Sequence, residues 1–301
     1  MVITKCIICG NNTALGELYP ATYKNRDLNR MIYSARRIPD RVHYRIVKCG
    51  RCGMVFSSPI LPPGKIASLY RESICTYADQ LKFIRKTYLE LFDKVRDKLP
   101  GKPKILEVGC GNGFFLTALS ESGIRDVWGV EPGTDMVRNA DPRIRKNIKA
   151  DIFRHGQFPE NSFDLVCCFH TLDHLTDPAL FVKEAFAVLK PGGLVLVVTH
   201  DTEGLSVMLF GERSPIFDIE HIYLFSKTTV SELFGKYGFV TQDAFNLVNR
   251  YPLSYWLRMS GLPQKVKDAG QKVLTVFGLS DVNFSLAGGN IAYIGQKPGL
   301  S

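Results

Sequence analysis

Lys104-Ile105-Leu106-Glu107-Val108-Gly109-Cys110-Gly111-Asn112-Gly113 is the stretch that decides the fold. Ile105, Leu106 and Val108 make an apolar strand that runs straight into a turn with glycine at 109, 111 and 113. An apolar helical pattern follows at once, from Phe114 to Leu119. Glycines at a strand-to-helix turn permit tight backbone conformations and let a ligand approach with no Cβ in the way. Such a turn builds a pocket at the carboxyl end of the first strand of a doubly wound sheet. The spacing departs from the G-x-G-x-x-G of dinucleotide sites, and an acid, Glu107, stands two positions before the first glycine.

Working outward, strands are expected at 104–109, 126–131, 146–150, 163–169 and 193–199 with helices between them. That alternation predicts a parallel sheet with crossover connections. Two final strands are expected at Phe239–Val248 and Asn290–Gln296. The second strand ends in Glu131, about 20 residues after the glycine turn, where a carboxylate hydrogen-bonds ribose hydroxyls. Ala150-Asp151-Ile152, Ser162–Cys167 and Leu189-Lys190-Pro191-Gly192-Gly193-Leu194 follow in order.

Taken together, residues 104–200 resemble the class I S-adenosylmethionine (SAM) methyltransferases, whose first motif reads (I/L/V)-L-(D/E)-(V/I)-G-(C/S)-G-x-G. The resemblance implies an α/β fold, a Rossmann-like doubly wound seven-stranded sheet closed by an antiparallel pair. It also implies roles. Gly109, Cys110, Gly111 and Gly113 pass close to the methionine part of SAM, and Glu107 orients its amino group. Glu131 holds the ribose, and Asp151 with Ile152 faces the adenine. His170, just after the fourth strand, becomes a candidate for contact with both cofactor and acceptor. S-adenosylhomocysteine (SAH) is the expected product.

Cys6-Ile-Ile-Cys9-Gly and Cys49-Gly-Arg-Cys52-Gly are two C-x2-C-G turns separated by 39 residues. Two such turns complete a tetrahedral shell of four thiolates, which suits Zn2+. With four protein ligands the shell has no position open for water, so the metal is expected to be structural. Residues 1–60 are read as this zinc-binding module and 61–301 as the methyltransferase domain, the boundary falling in the proline-rich stretch from Ser57 to Gly64. Cys75, Cys110, Cys167 and Cys168 have no partner by spacing, and the last two read as small buried hydrophobes.

The net charge of +9 is unevenly spread. Residues 1–60 hold ten Lys and Arg, among them Arg26, Arg30, Arg36, Arg37, Arg41 and Arg45, against three acids. A basic module suggests an anionic partner, either a phosphate-bearing acceptor or RNA, and a solvated face is the plain alternative. Tyr19, Tyr23, Tyr33 and Tyr44 lie among these arginines, and packing of a thin core is the favoured reading over stacking on bases. No apolar run nears the ~18 residues of a membrane span. The N-terminus lacks the apolar core of a signal peptide. A cytoplasmic protein is expected.

An amphipathic helix is expected from Tyr77 to Leu99, packed on the sheet and over the cofactor, with Leu69-Tyr70-Arg71 lining the pocket. A helical insertion near 252–282 reads as part of a lid or an oligomer contact. The loop Phe217-Asp218-Ile219-Glu220-His221, after the fifth strand, should reach over the acceptor. His221 has the intrinsic pKa of a general base at neutral pH, and Glu220 is placed to set its tautomer or bind substrate. For His174, local hydrogen bonding is favoured over a metal role shared with His170.

A four-cysteine module joined to this core resembles bacterial sugar C-methyltransferases that act on nucleotide-linked sugars. Those carry a Tyr-His-Glu-His element at this loop, and this chain keeps Glu220-His221 but has Asp218 in place of the tyrosine. The broader expectation is methyl transfer to a small sugar-like or secondary-metabolite acceptor. An rRNA or tRNA methyltransferase gripping RNA through the zinc module is the alternative, and a non-catalytic SAM-binding protein the third.

Overall fold

A computed structural model describes residues 1–24, 27–29, 31–33, 40–73 and 80–299. Arg26, Arg30, Arg36, Arg37, Cys75 and Tyr77 lie outside the described residues. Three short strands come first, β1 (Leu15–Tyr19), β2 (Ile46–Cys49) and β3 (Val55–Ser57), then the helices α1 (Pro63–Arg71) and α2 (Leu81–Arg96). The glycine-rich stretch supplies β4 (Ile105–Val108) and leads into α3 (Phe114–Glu121). There follow β5 (Val127–Val130), the short α4 (Thr134–Arg138) and α5 (Pro142–Arg145), β6 (Ile148–Lys149), β7 (Phe163–Phe169), α6 (Pro178–Val188) and β8 (Leu189–His200). Beyond them lie α7 (Leu205–Phe210), β9 (Tyr223–Leu224), α8 (Lys227–Lys236), β10 (Val240–Asn246) and β11 (Asn249–Pro252). The last elements are α9 (Leu253–Met259), α10 (Gln264–Val276), β12 (Asn283–Leu286) and β13 (Asn290–Gln296).

The seven-stranded sheet has the order β10-β13-β8-β7-β4-β5-β6. β4 pairs in parallel with both β5 and β7, while β13 runs antiparallel to β8 and β10. The chain moves from β4 to one side as far as β6, then returns to β7 on the other side. The carboxyl end of β4 is therefore a topological switch point, where open α/β sheets bind ligands. Every residue of β7 is buried, as expected of a parallel strand covered by helices on both faces. α2 lays Ile84, Tyr88, Leu91, Phe92 and Val95 on one buried face, a 3.6-residue repeat. Asp177 caps α6 by accepting the Leu180 N–H, and Ser226 with Thr229 forms a capping box on α8.

Three features depart from the sequence expectation. β8 begins at Leu189 instead of 193, because the sheet register shifts between Phe163 and Leu165 and absorbs the Pro191-Gly192-Gly193 bend. The 252–282 insertion is two helices, α9 and α10, held between β11 and β12, which pair antiparallel with each other. Those four-residue strands are too short to show an alternation. β9 joins β3, so the N-terminal sheet reads β1-β2-β3-β9 and includes a strand from beyond residue 220. No helix among the described residues is long and apolar enough to cross a membrane.

Candidate functional site

Gly109, Gly111 and Gly113 all take positive φ, at 75°, 54° and 71°. A Cβ at Gly109 would stand 2.1 Å from Thr171 Oγ1, and one at Gly113 would meet Ile144 Cδ1 at 2.3 Å. The first glycine lets β4 turn beneath the loop that follows β7, and the third lets α3 pack close to the sheet. The Gly111 N–H donates to Glu131 Oε2 at 2.9 Å and the Gly133 N–H to Oε1 at 2.8 Å, which fixes that carboxylate beside the glycine turn. Burial pushes the Glu131 carboxyl up, an effect those two N–H groups oppose. Glu107 is 2% exposed and its Oε2 has no hydrogen-bond partner. Burial, and then the charge of Glu131, pushes its carboxyl well above the usual range.

These groups line a first chamber of about 290 Å³ together with Cys110, Asp151, Ile152 and His170. Tyr70 of α1 and Ile84 and Tyr88 of α2 close over it, as the sequence suggested for both segments. Asp151 is held by Arg154, whose two nitrogens reach it at 3.1 and 2.8 Å, and that guanidinium keeps its carboxyl below the ordinary value. Among the described residues the lining holds Glu107, Glu131, Asp151, Asp177 and Glu220, and neither Lys nor Arg. A dinucleotide pyrophosphate would meet like charge here. A cofactor bearing a sulfonium and an ammonium fits, and the orphaned Glu107 oxygen gives such an ammonium an acceptor.

A second chamber of about 380 Å³ adjoins the first, and His170, His174 and Glu220 line both. Its far wall is apolar and aromatic, with Tyr251, Tyr255, Trp256 and Met259 from β11 and α9 and Leu205 and Phe210 from α7. His170, at the shared edge, holds φ at 47°, a left-handed conformation uncommon outside glycine, though histidine, asparagine and aspartate adopt it more often than other residues.

At that edge the structure assembles a cluster only half visible in the sequence. His221 is 7% exposed, and its Nδ1 lies 2.7 Å from the Ile216 carbonyl, so Nδ1 carries the proton and Nε2 is left with its lone pair. The Ile216 carbonyl thus takes the tautomer-setting part, one of the two roles expected of Glu220, whose Oε1 lies 4.0 Å from His174 Nδ1. His174 bonds Tyr70 Oη through Nδ1 at 2.9 Å, in line with the hydrogen-bonding role expected of it, and burial pushes its imidazole down to about 3. The residues that sequence reasoning missed are Asp173 and His200. Asp173 Oδ2 accepts from His200 Nδ1, and the His200 ring stands 4.2 Å from His221 and 5.1 Å from His170, centre to centre. Burial would push the Asp173 carboxyl up, but His200, by its charge and its hydrogen bond, holds it well below its usual value. Their shared signal is position: both stand just past the carboxyl ends of neighbouring strands, β7 and β8.

The four cysteines also converge. Cys6 and Cys52 sulfurs are 3.3 Å apart and those of Cys9 and Cys49 3.6 Å apart, with all four within 4.8 Å of one another. Gly10 and Gly53 turn at φ 73° and 76° and donate to the carbonyls of Cys6 and Cys49, and Asn11 Nδ2 donates to Cys49 Sγ at 3.4 Å. Four thiols on two such turns match the donor set of a structural zinc site. Tyr33 and Tyr44 are buried, hydrogen-bonded to each other at 2.6 Å, and Tyr33 reaches the first chamber. β3 carries the module to the acceptor loop: Ser57 N–H donates to the Ile222 carbonyl at 2.8 Å and Ser57 Oγ to the His221 carbonyl at 3.1 Å.

A family model described as a methyltransferase domain matches residues 77–243. A ubiquinone biosynthesis O-methyltransferase of Psychrobacter arcticus is 34% identical over 109 residues, covering 34% of this chain and 42% of that protein. A tRNA U34 carboxymethyltransferase of Idiomarina loihiensis is 33% identical over 128 residues, covering 39% of each. The matches span between a third and just over half of the length of the curated relatives. A SAM-dependent methyltransferase from Thermotoga maritima, described as a possible histamine N-methyltransferase, superposes with a TM-score of 0.50 at 21% identity. That match covers 73% of this chain and 94% of the solved one, a likeness of fold.

Proposed function

The chain belongs to the methyltransferase-domain family, whose members use SAM, and on that premise we propose that it methylates a small molecule held in the second chamber. The observation that carries this reading is the meeting of two chambers at His170, His174 and Glu220, one lined by acids, the other by aromatic side chains. When bound, SAM supplies a methyl group already activated on a sulfonium. The protein's share is then alignment and proton handling. Glu131 and Glu107 fix the cofactor's ribose and amino ends, Asp151 and Ile152 flank the adenine, and Cys110 and the three glycines border the methionine part. His221 offers Nε2 to the acceptor's proton, with its Nδ1 committed to Ile216. His170 and Glu220 flank the line of transfer. The four cysteines hold Zn2+ as a structural ion.

The second chamber has no Lys or Arg among its described lining residues and carries Asp218 and Glu220 at its polar end. These features favour an uncharged acceptor, apolar along most of its length and bearing one hydroxyl, over a nucleotide-linked sugar phosphate. A relative that acts as an O-methyltransferase in ubiquinone biosynthesis agrees with an oxygen nucleophile. The competing reading, tRNA or rRNA as acceptor, has the basic N-terminal segment and the tRNA-modifying relative in its favour. Salt separates the two. RNA affinity would fall steeply with added salt through counterion release, whereas entry of a neutral acceptor would be nearly indifferent to it.

The direct test is transfer of labelled methyl from SAM to pooled neutral and anionic metabolites and to RNA, beside SAH-induced stabilisation. His221→Phe should abolish transfer and preserve the SAH shift. Absence of any SAM or SAH binding would sink the proposal.

A further inference from the structure

Asp173, His200 and His221 come from three separate elements: the turn after β7, the last residue of β8 and the loop before β9. Their donor atoms lie within 4.8 Å of one another. Three observations set this group apart from an ordinary buried hydrogen-bond network. Asp173 is completely buried, and its Oδ1 has no hydrogen-bond partner, His174 Nε2 standing 3.8 Å away, beyond hydrogen-bond reach. A buried carboxylate oxygen left so is costly unless something positive is to occupy the space beside it. His221 donates Nδ1–H to a backbone carbonyl, the outer hydrogen bond by which a ligating imidazole is fixed with its other nitrogen free to bind metal. His200 and His221 face the second chamber, whose described lining holds neither Lys nor Arg.

We propose that Asp173, His200 and His221 form a binding site for a first-row divalent cation. One carboxylate and two imidazoles make the two-histidine-one-carboxylate set, which leaves coordination positions open and suits Fe2+, Mn2+, Co2+ or Zn2+. His200 and His221 line the second chamber, so water or an oxygen of a molecule bound there would fill the remaining positions. The site is distinct from the four-cysteine cluster in ligand chemistry, since it has no thiolate. Its catalytic consequence rests on the methyltransferase reading, but the site itself does not. Protons and metal ions compete for the same lone pairs. An ion held there would occupy the Nε2 lone pair that His221 otherwise offers to the acceptor's proton, so cation binding and the general-base role exclude each other and the ion should inhibit transfer.

The test is a Co2+ titration of the full chain, purified with its cysteine site loaded with zinc, with SAH binding measured on the same samples. A second metal equivalent is expected, with the visible bands of nitrogen and oxygen ligation and no thiolate charge-transfer band. His200→Ala and Asp173→Asn should each weaken that equivalent by about 10–100-fold or more, by analogy with losses seen around metal sites. Neither variant should alter the zinc content or the SAH-induced rise in melting temperature, which verifies that each is folded. A single equivalent of metal in the wild-type protein, or a second one that both variants retain at full affinity, overturns the site. Failure of SAH to bind would count against the methyltransferase reading and leave the cation result standing.

Discussion

Gly109 illustrates how much one residue fixes. Its φ of 75° is unfavourable for an L side chain, and an added Cβ would land 2.1 Å from the Thr171 hydroxyl, which is itself bonded to the Phe169 carbonyl at 3.1 Å. Gly109→Ala should destabilise the fold by about 1–3 kcal/mol and remove the SAH-induced shift, both readable in one thermal denaturation series. Glu107 supports a prediction in pH. Its carboxyl is raised in the folded, ligand-free protein, so its contribution to stability is fully present below the unfolded value and is lost as pH rises through the folded one. A cofactor ammonium favours the ionised form. Binding near neutral pH should therefore release protons, seen as a dependence of calorimetric binding heat on buffer ionisation enthalpy. Glu107→Gln should remove that dependence, and its persistence in the variant would assign the proton to another group. The glycine turn, Glu107 and Glu131 were legible in advance because strand, turn and helix sit within one short run of sequence. Asp173 and His200 were not, because only the parallel pairing of β7 with β8 makes them neighbours.

At the scale of elements, the sheet was readable because buried parallel strands are continuous apolar runs, and β7 is apolar or buried from end to end. Short strands defined by distant partners left no such trace. β9 has two residues and exists only because β3 lies beside it, and β11 and β12 pair across the whole helical insertion. The insertion nevertheless has a legible purpose once α9 is seen to wall the second chamber. Tyr255 stacks on Tyr251 at 4.1 Å between ring centres, and Trp256 Nε1–H is anchored to the Phe284 carbonyl at 2.9 Å. Truncating Tyr255 to Ala should raise the acceptor KM about tenfold or more, on the scale of about 1–3 kcal/mol for a lost aromatic contact, and leave SAH affinity unchanged. Steady-state kinetics with each substrate varied separates the two effects, and an equal loss of SAH affinity would refute the assignment of chambers.

For the whole molecule, the telling feature is that the cysteine cluster and the acceptor loop share one sheet. β2 ends in Cys49, β3 pairs with β2, and β3 in turn holds Ile222 and His221 by their carbonyls. Replacing Cys49 by Ser, which disables the cysteine cluster and spares the Asp173-His200-His221 group, should abolish methyl transfer and leave the SAH-induced stabilisation intact. Simultaneous loss of both would mean that the metal supports the entire fold and not the acceptor side alone. The two cysteine turns were plain from spacing, whereas their tie to a loop more than a hundred residues away was not, since it is made through backbone hydrogen bonds that carry no side-chain signature.

Ser57, sitting in that tie, has a consequence for how the chain can be divided. A polypeptide begun at residue 61 would keep all seven strands of the main sheet yet expose β9 as a bare edge, with the carbonyls of His221 and Ile222 stripped of their donors. Such a piece should still capture SAH, stick to its own copies through the uncovered strand, and be inert toward the acceptor. The first sixty residues would then behave less as an appended module than as a brace behind the His221 loop.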